Sequence, residues 1–575
     1  MANFVGTIIT RTTAGPLATG SDPGDSIFIG IQAERGLEDT VHEFTSYARF
    51  RQIFGGAAGT PIGSDTRITQ ADEVLNILYS KGKARKRCYA VRMVDSSATQ
   101  AYVDLVDVDS GTPLNTLRIH AKGSGTWANA YEATISSATK NGYIAPASYV
   151  AQTVHADAAA LEGAFPAASN DEKYGIATLA GESTIYLSDG AAWGVYGAAS
   201  SAASFKIEVK ATASGTVLET FDNVTLTEAS LESVGDRSDY IYLENLDSAT
   251  AAPFSVPAGG DFLLGATQAG VNGNQPLATD IVGTDDGLGA KTGLKAFRDK
   301  KYGRGFLICP GLDSNSTVRS EMASHLDNFS RVALFGAPAG LTVTTVQDDV
   351  PDLLAAYYWG LPRVQDAVTE ELKPISLVGH VLAEWFDFIA RDDYGKHPAG
   401  KDFKVDRVHS FETQSNGAAL IDEDIAVTLV GAGINPAYDK GSGPKIWGAR
   451  TCSSDPNWAY LHALWAYCVI SDRFQRFLDD QVYEDASAGG FFEDLEESLR
   501  ITMADLNSKG MFDGSTPSSR EAEDFVAHGF SVQANRDLLT PTDLATNTIR
   551  IRCWFKDSLT AETIRAEIAK RAPTA

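Results

Sequence analysis

Several groups of residues have types and spacings that bear on chemistry, and each stops short of a site. The stretch Gly283 to Thr292, GTDDGLGAKT, superficially resembles a phosphate-binding loop. Such a loop needs Gly-Lys-Ser/Thr in direct succession, so that backbone N–H groups and the lysine converge on phosphate oxygens. Here Ala290 separates Gly289 from Lys291, and Asp285 and Asp286 would repel an anion. Nine histidines include no HExxH and no closely spaced pair, so His380 and His462 read as packing residues and not as metal ligands. No GxSxG elbow presents an activated serine. The acidic groups Asp392-Asp393 and Asp422, Glu423, Asp424 could serve as glycosidase carboxylates or calcium ligands. In a chain of net charge −26 such runs read first as solvated faces. The expectation is a protein that is not an enzyme and has no cofactor and no metal site.

Bulk composition points the same way. With 575 residues, and about 150 per domain, the chain holds roughly three or four units. A hydrophobic content of 43% with 21% charged residues lets each unit bury a core. The charge of −26 argues against a nucleic-acid binder, because that role requires lysine and arginine to replace condensed counterions. Dense packing of such chains would require locally basic buried surfaces. Cys88, Cys309, Cys452, Cys468 and Cys553 are scattered through apolar runs and read as reduced core residues. The N-terminus, MANFVGTIITRT, lacks a basic segment followed by a long apolar one, and no run approaches the ~18–20 apolar residues of a membrane span. The expected starting state is soluble and cytosolic.

Along the chain, Phe4 to Thr10 is a short strand isolated by a TTAGPLATG tract. A strand over Asp25 to Ala33 follows, then helices over Ser46 to Phe54 and Gln70 to Lys81, with Gly82 as a stop, and a strand over Arg87 to Val94. That order predicts an α/β layer. From about 100 to 275 the texture turns to Ala, Ser, Thr, Gly and Asp with short alternating strands, predicting a β-rich insertion. After 281 the α/β pattern resumes: helix Lys291 to Asp299, strand Gly305 to Cys309, helix Thr317 to Phe329, strand Arg331 to Phe335, helix Pro351 to Trp359. The predicted fold class is α/β (α+β mixed) and multidomain. Its parts are an N-terminal arm at 1–20, an α/β middle domain at 21–100 plus 281–400, and a β-rich inserted outer domain at 101–280. An inner domain at 401–545 and a C-terminal arm at 546–575 complete it.

The run from Gly431 to Asp480, GAGINPAYDKGSGPKIWGARTCSSDPNWAYLHALWAYCVISDRFQRFLDD, carries the most specific wording. A loop leads to a short strand at Ile446 to Ala449, then to a helix over Asn457 to Asp480, with Ser454 or Asp455 as N-cap and Pro456 in the first turn. Gly433, Ile434, Asn435, Pro436, Trp447, Gly448, Ala449, Arg450, Thr451, Ser454, Asp455, Pro456, Trp458 and Tyr460 resemble the C-terminal part of contractile tail sheath proteins of bacteriophages and related injection machines. The stretch from Thr284 to Gly311 is similar to the family's acidic–glycine loop, RTGL-like helix and strand ending in Pro-Gly. Gly379 to Gly400 is similar to its segment between a GH-V strand and a K-x-PAG loop, with a longer aromatic stretch, WFDF. Ser26 to Gly36, with the helix to Phe54, looks like the first block. Roughly half the chain matches, and the insertion matches nothing.

The resemblance implies a structural subunit that forms stacked six-fold rings around an inner tail tube protein. Contraction would drive that tube through the host envelope, with baseplate and tail terminator proteins as further partners. It implies no nucleic acid, no membrane insertion, and a place in the virion tail after assembly in the host cytoplasm. It further implies that terminal arms complete a sheet in adjacent subunits. The arm residues are Phe4, Val5, Ile8 and Ile9 at one end, and the alternating Ile549, Ile551, Cys553 and Phe555 at the other. The plain alternative is pairing of both ends within the same chain. For the tube-facing element, the helix Phe491 to Lys509, with Arg500 and Lys509, competes with the 457–480 helix, with Arg473 and Arg476. A headless bacteriocin-like particle is an equivalent home. A glycan-binding or glycan-cleaving tail protein is the alternative of another class; it requires an aromatic or carboxylate cleft within 100–275.

Overall fold

The computed structural model describes residues 25–55, 70–81, 86–109, 112–139, 148–198, 204–250, 254–338, 340–360, 362–365, 370, 372–411, 421–481, 486, 490–514, 528–545 and 548–558. The Phe4 to Thr10 strand, Gly82 and residues 559–575 therefore lie outside the described residues. The fold is mixed α/β, with several sheets and more than one core.

Its organising element is an eight-stranded sheet. In chain order the strands are β1 (Ser26–Ile31), β2 (His42–Phe44), β3 (Arg87–Arg92), β4 (Gly305–Ile308), β5 (Arg331–Gly336), β6 (Ala355–Trp359), β7 (Ile434–Tyr438) and β8 (Lys445–Ile446). They lie side by side as β2-β3-β1-β4-β5-β6-β7-β8. The pairs from β3 to β7 are all parallel, and β2 and β8 are antiparallel edges. Parallel strands need both faces covered, so they read as continuous apolar runs. SIFIGI, GFLI, RVALFG and AAYYW are buried at every position.

Alternation along the strands divides the core in two. Ile27, Ile29, Phe306, Ile308, Val332 and Leu334 face one way, against α2 (Ala71–Ser80), α4 (Val378–Ile389), α6 (Leu461–Asp479) and α7 (Phe491–Ser508). Phe28, Leu307, Ala333, Phe335 and Tyr357 face the other, against α3 (Ser316–Phe329) and α5 (Glu423–Gly431). Ser46 caps α1 (Tyr47–Phe54), its side chain accepting from Arg49 N, and Phe50 and Phe54 of that helix join the first face.

Between β3 and β4 the chain builds separate antiparallel structure. Strands 100–106, 115–124 and 241–245 form one sheet, and 131–137, 205–211, 216–224 and 260–263 another, sharing a core around Ile119, Ile207 and Val209. A third sheet joins 149–155, 174–179, 182–188 and 193–198.

Four expected elements differ. Pro351 to Trp359 is not a helix: Ala355–Trp359 is β6, held between β5 and β7, where tertiary pairing overrides the helical preference of Ala-Ala. The GH-V segment is not a strand but α4, with Val378, Val381, Leu382, Trp385 and Ile389 repeating at helical spacing against the sheet. Lys291 to Asp299 is only a short 3₁₀ turn over Gly293–Phe297, because Gly293 enters at φ 55 and Asp299 caps the next turn at Lys301 N. The helix expected from Asn457 divides into a 3₁₀ turn, Pro456–Trp458, and α6.

Arg304, just before β4 and 2% exposed, joins the layers: Nε donates to Asp25 Oδ1 at 2.6 Å and Nη1 to Asp472 Oδ2 of α6 at 2.8 Å. Removing a partner from a buried ion pair strands the other charge. Arg304→Met is expected to lower the unfolding free energy of the sheet core by about 3–5 kcal/mol. Urea unfolding followed by the fluorescence of buried Trp385 and Trp465 checks this, and an unchanged midpoint would refute the joint.

Candidate functional site

The conserved-looking wording of the C-terminal run resolves into a backbone brace. Gly433 stands at φ 80, and a Cβ there would lie 2.8 Å from Thr451 O. Asn435 is fully buried on β7; its Nδ2 donates to Arg450 O at 2.8 Å and to Tyr357 O at 3.3 Å, while its Oδ1 accepts from Arg450 N at 2.8 Å. Pro436 pairs in register with Trp359 of β6. Gly448, at φ 109, ends the strand at Ile446, so Trp447 and Ala449 lie beyond it. Ala449 O accepts from Leu461 N, Thr451 N donates to Ala459 O, and Thr451 Oγ1 donates to Trp458 O. Those bonds occupy the carbonyls that would have continued a helix, and Tyr460 is extended at φ −114. This is why α6 begins at Leu461. Asp455 caps the 3₁₀ turn by accepting from Asn457 N, with Pro456 in its first position.

On this brace sits a two-stranded ribbon of β9 (Phe530–Gln533) and β10 (Arg552–Phe555), antiparallel, with Phe530 opposite Phe555. Ile549, Ile551, Cys553 and Phe555 pack against the first core face, and Trp554 points outward, 44% exposed. The C-terminal strand expected to serve in a neighbouring subunit is thus paired within its own chain. Among the described residues the ribbon has two strands, so the outer edge of each carries no strand partner. The ribbon's far end is tied down by side chains: His462 Nε2 lies 2.8 Å from Asp557 Oδ2 and 3.0 Å from Ser558 O, and His462 Nδ1 lies 2.6 Å from His397 Nδ1. Burial is the largest influence on the Asp557 carboxylate and raises its pKa, but the hydrogen bond and charge of His462, its own backbone N–H and the charge of His397 together hold it below the ordinary value. His397 and His462 are 65 residues apart, so no local pattern announced their meeting.

The four candidate tube-facing cations do not form a free basic patch. Arg500 pairs with Glu497, Lys509 with Asp505 and Asp392, Arg473 with Asp505, and Arg476 with Asp472. The local positive charge expected on α7 is neutralised at its source. The acidic groups also have local duties: Asp422 caps α5 by accepting from Ile425 N, and Glu423 pairs with Lys440. In the loop at 283–292, Asp286 accepts from Leu288 N and Ala290 N, so its carboxylate stands where an anion would have to bind. His380 is buried on α4, its Nε2 bonded to Asp406 O. The five cysteines are unpaired, four of them buried. Among the described residues no group of three or more His, Cys, Asp or Glu could hold a metal, and no helix is long and apolar enough to cross a membrane. A groove of about 380 Å³, lined by Glu73, Arg407 and His409 among others, lies away from the insertion.

No known family profile matches the chain. A curated relative from Pseudomonas aeruginosa (strain UCBPP-PA14), described as a prophage major tail sheath protein, is 22% identical over 298 residues, spanning 50% of this chain and 70% of the relative. The chain resembles the contractile tail sheath proteins. Solved structures with a likeness include the sheath tail protein of Listeria innocua, at 9% identity and TM-score 0.49, covering 93% of this chain and 92% of that one. The contracted sheath complex of an extracellular contractile injection system gives 16% identity and TM-score 0.37, covering 46% and 70%.

The residues that carry the sheath-like wording are therefore those that brace β6 and β7 to α6. Asn435→Ala is expected to cost about 2–4 kcal/mol, because it leaves buried backbone groups of Arg450 and Tyr357 without partners. Thermal unfolding of the variant checks this; wild-type stability would show that the brace is not what the motif supplies.

Proposed function

We propose that this chain is the structural subunit of a contractile tail sheath, without enzymatic activity or cofactor. It polymerises as stacked six-fold rings around an inner tail tube, between baseplate and tail terminator, in the virion tail after assembly in the host cytoplasm. Contraction repacks the rings and drives the tube through the host envelope for genome ejection. In this reading no nucleotide is consumed, and the work comes from the difference in interface free energy between two discrete packings.

The observation that supports this reading is the ribbon of β9 and β10, mounted on the brace with no third strand on either edge among the described residues. An exposed edge offers a row of backbone donors and acceptors to an added strand. The strand over Phe4, Val5, Ile8 and Ile9 of one neighbour, and a segment after residue 558 of another, would extend the ribbon on its two edges. In this reading 1–20 and 546–575 are the linking arms, 401–545 faces the tube, 101–280 faces outward, and 21–100 with 281–400 lies between. Because Arg500, Lys509, Arg473 and Arg476 are already paired, contact with the tube through α7 or α6 would exchange ion-pair partners and would not present bare charge.

Negative-stain electron microscopy of the purified chain, alone and with its candidate tube protein, is expected to show hollow, ring-striated tubes. A chain lacking residues 1–12 is expected to stay folded and monomeric. Monodisperse particles from the intact chain under both conditions would count against the sheath reading. Tubes from the truncated chain would remove the arm exchange while leaving the sheath.

A further inference from the structure

The end of the ribbon is docked by three titratable side chains from distant parts of the sequence. His397 comes from the loop after α4, His462 from the first turn of α6, and Asp557 from just beyond β10. His462 Nε2 faces Asp557 Oδ2 at 2.8 Å and the Ser558 carbonyl at 3.0 Å. Both partners accept, so Nε2 must carry its proton. Its Nδ1 then meets His397 Nδ1 at 2.6 Å, with the ring planes at 83°. At that distance one nitrogen donates and the other accepts, so a single proton lies between them. One further proton can be taken up without loss, since an imidazolium on either ring leaves the other Nδ1 as acceptor. A second would set N–H against N–H.

We propose that His397, His462 and Asp557 form an acid-sensitive latch, which docks the end of the β9–β10 ribbon on α6 and opens when both imidazoles are charged. The latch regulates the same ribbon that serves as the joining element, and its functional meaning rests on that reading. Opening would free Lys556 to Ser558, and with them the root of the C-terminal segment, to leave its own subunit. Lys396 beside His397 pairs with Asp402, and Lys556 pairs with Asp513. The Tyr460 ring lies tilted at 34° to that of His462, 5.6 Å away, with the Arg450 guanidinium over the tyrosine ring. Asp557 is the carboxylate that faces His462. The remaining ties are backbone bonds, Lys556 N to Gly529 O at 2.7 Å and Asp513 N to Lys556 O at 3.0 Å, and Ser558 Oγ to Gly395 O at 3.1 Å.

The sign follows from proton counting. Docked, the pair holds at most one added proton before N–H meets N–H; released, each imidazole can take its own below about pH 6.5, where histidine side chains in general charge. The released form therefore binds more protons and gains about tenfold per pH unit as pH falls below that value. Above it the latch contributes in full. Protonation of Asp557 at still lower pH would remove the remaining partner.

Hydrogen exchange of the full unpolymerised chain, corrected for intrinsic rate, tests this between pH 7.5 and pH 5. Peptides covering 549–558 report on the latch, and peptides covering 461–479 serve as reference. Exchange at 549–558 is expected to rise by about tenfold or more below pH 6.5 while the reference stays protected. His397→Gln keeps a donor for His462 Nδ1 and removes the clash, so it should stay protected over the same range. Asp557→Ala, which removes the acceptor for His462 Nε2, should raise exchange already at pH 7.5. A flat wild-type profile, or opening of H397Q at the wild-type pH, would overturn the latch. Electron microscopy of the same chain, concentrated at pH 7.5 with its candidate tube protein, separates the two ideas: tubes with a flat exchange profile leave the sheath and remove the latch, and acid opening without tubes does the reverse.

Discussion

A parallel sheet buried on both faces cannot stand without cover, and that requirement arranges most of this molecule. Strands β1, β4, β5 and β6 bury every side chain. Their apolar residues therefore need helices on two sides at once. One side is covered partly by helices from beyond residue 460, so the C-terminal part must fold back over strands made hundreds of residues earlier. Where this return crosses the sheet, charge replaces packing. Arg304 joins the approach to β1 and β4 to α6 through Asp25 and Asp472. Arg331, also buried, is satisfied by the carbonyls of Gly303, Phe297 and Asp299 and by the face of Phe28. Buried cations in fixed positions give the layers a register that apolar contact alone does not impose.

The same logic explains why a motif with no chemistry in it can be so specific in wording. Asn435 acts as a strand would: its amide bonds both backbone groups of Arg450. Gly433 and Gly448 stand at positive φ close to other atoms, where a side chain would collide. The residues that look like a site are those a neighbouring backbone touches. They end in α6 and the ribbon it supports, which places the proposed joining element on a rigid footing and not on a loop.

Legibility followed the length over which a pattern could be read. The apolar runs of β1, β4 and β5, the periodic faces of α1 and α2, and the helical stretches of α3 and α7 were readable from the sequence pattern. Ala355–Trp359 was not, because two alanines and three aromatics fit either period, and only its place between β5 and β7 decides. The start of α6 was hidden because Thr451, a residue outside the helix, takes the carbonyl of Trp458. Ion pairing of Arg473, Arg476, Arg500 and Lys509 could be guessed only where the partner lies three or four residues away, as with Glu497 and Asp472. The His397–His462 contact joins a loop to a helix, so it existed nowhere in the linear pattern.

Charge sets the last constraint. A chain carrying −26, whose candidate interface cations are already paired, gains little from electrostatic attraction between copies and pays repulsion at long range. At physiological salt that repulsion is screened beyond about 8 Å, whereas backbone hydrogen bonds act only at contact. Joining copies by strand addition to the ribbon therefore places the attraction where the repulsion is least able to oppose it. It also makes the bond indifferent to side-chain charge, since backbone groups supply the donors and acceptors. What can disturb it is the seating of the ribbon itself. The side chains seating its end include two imidazoles and one carboxylate, so there the joint becomes sensitive to protons.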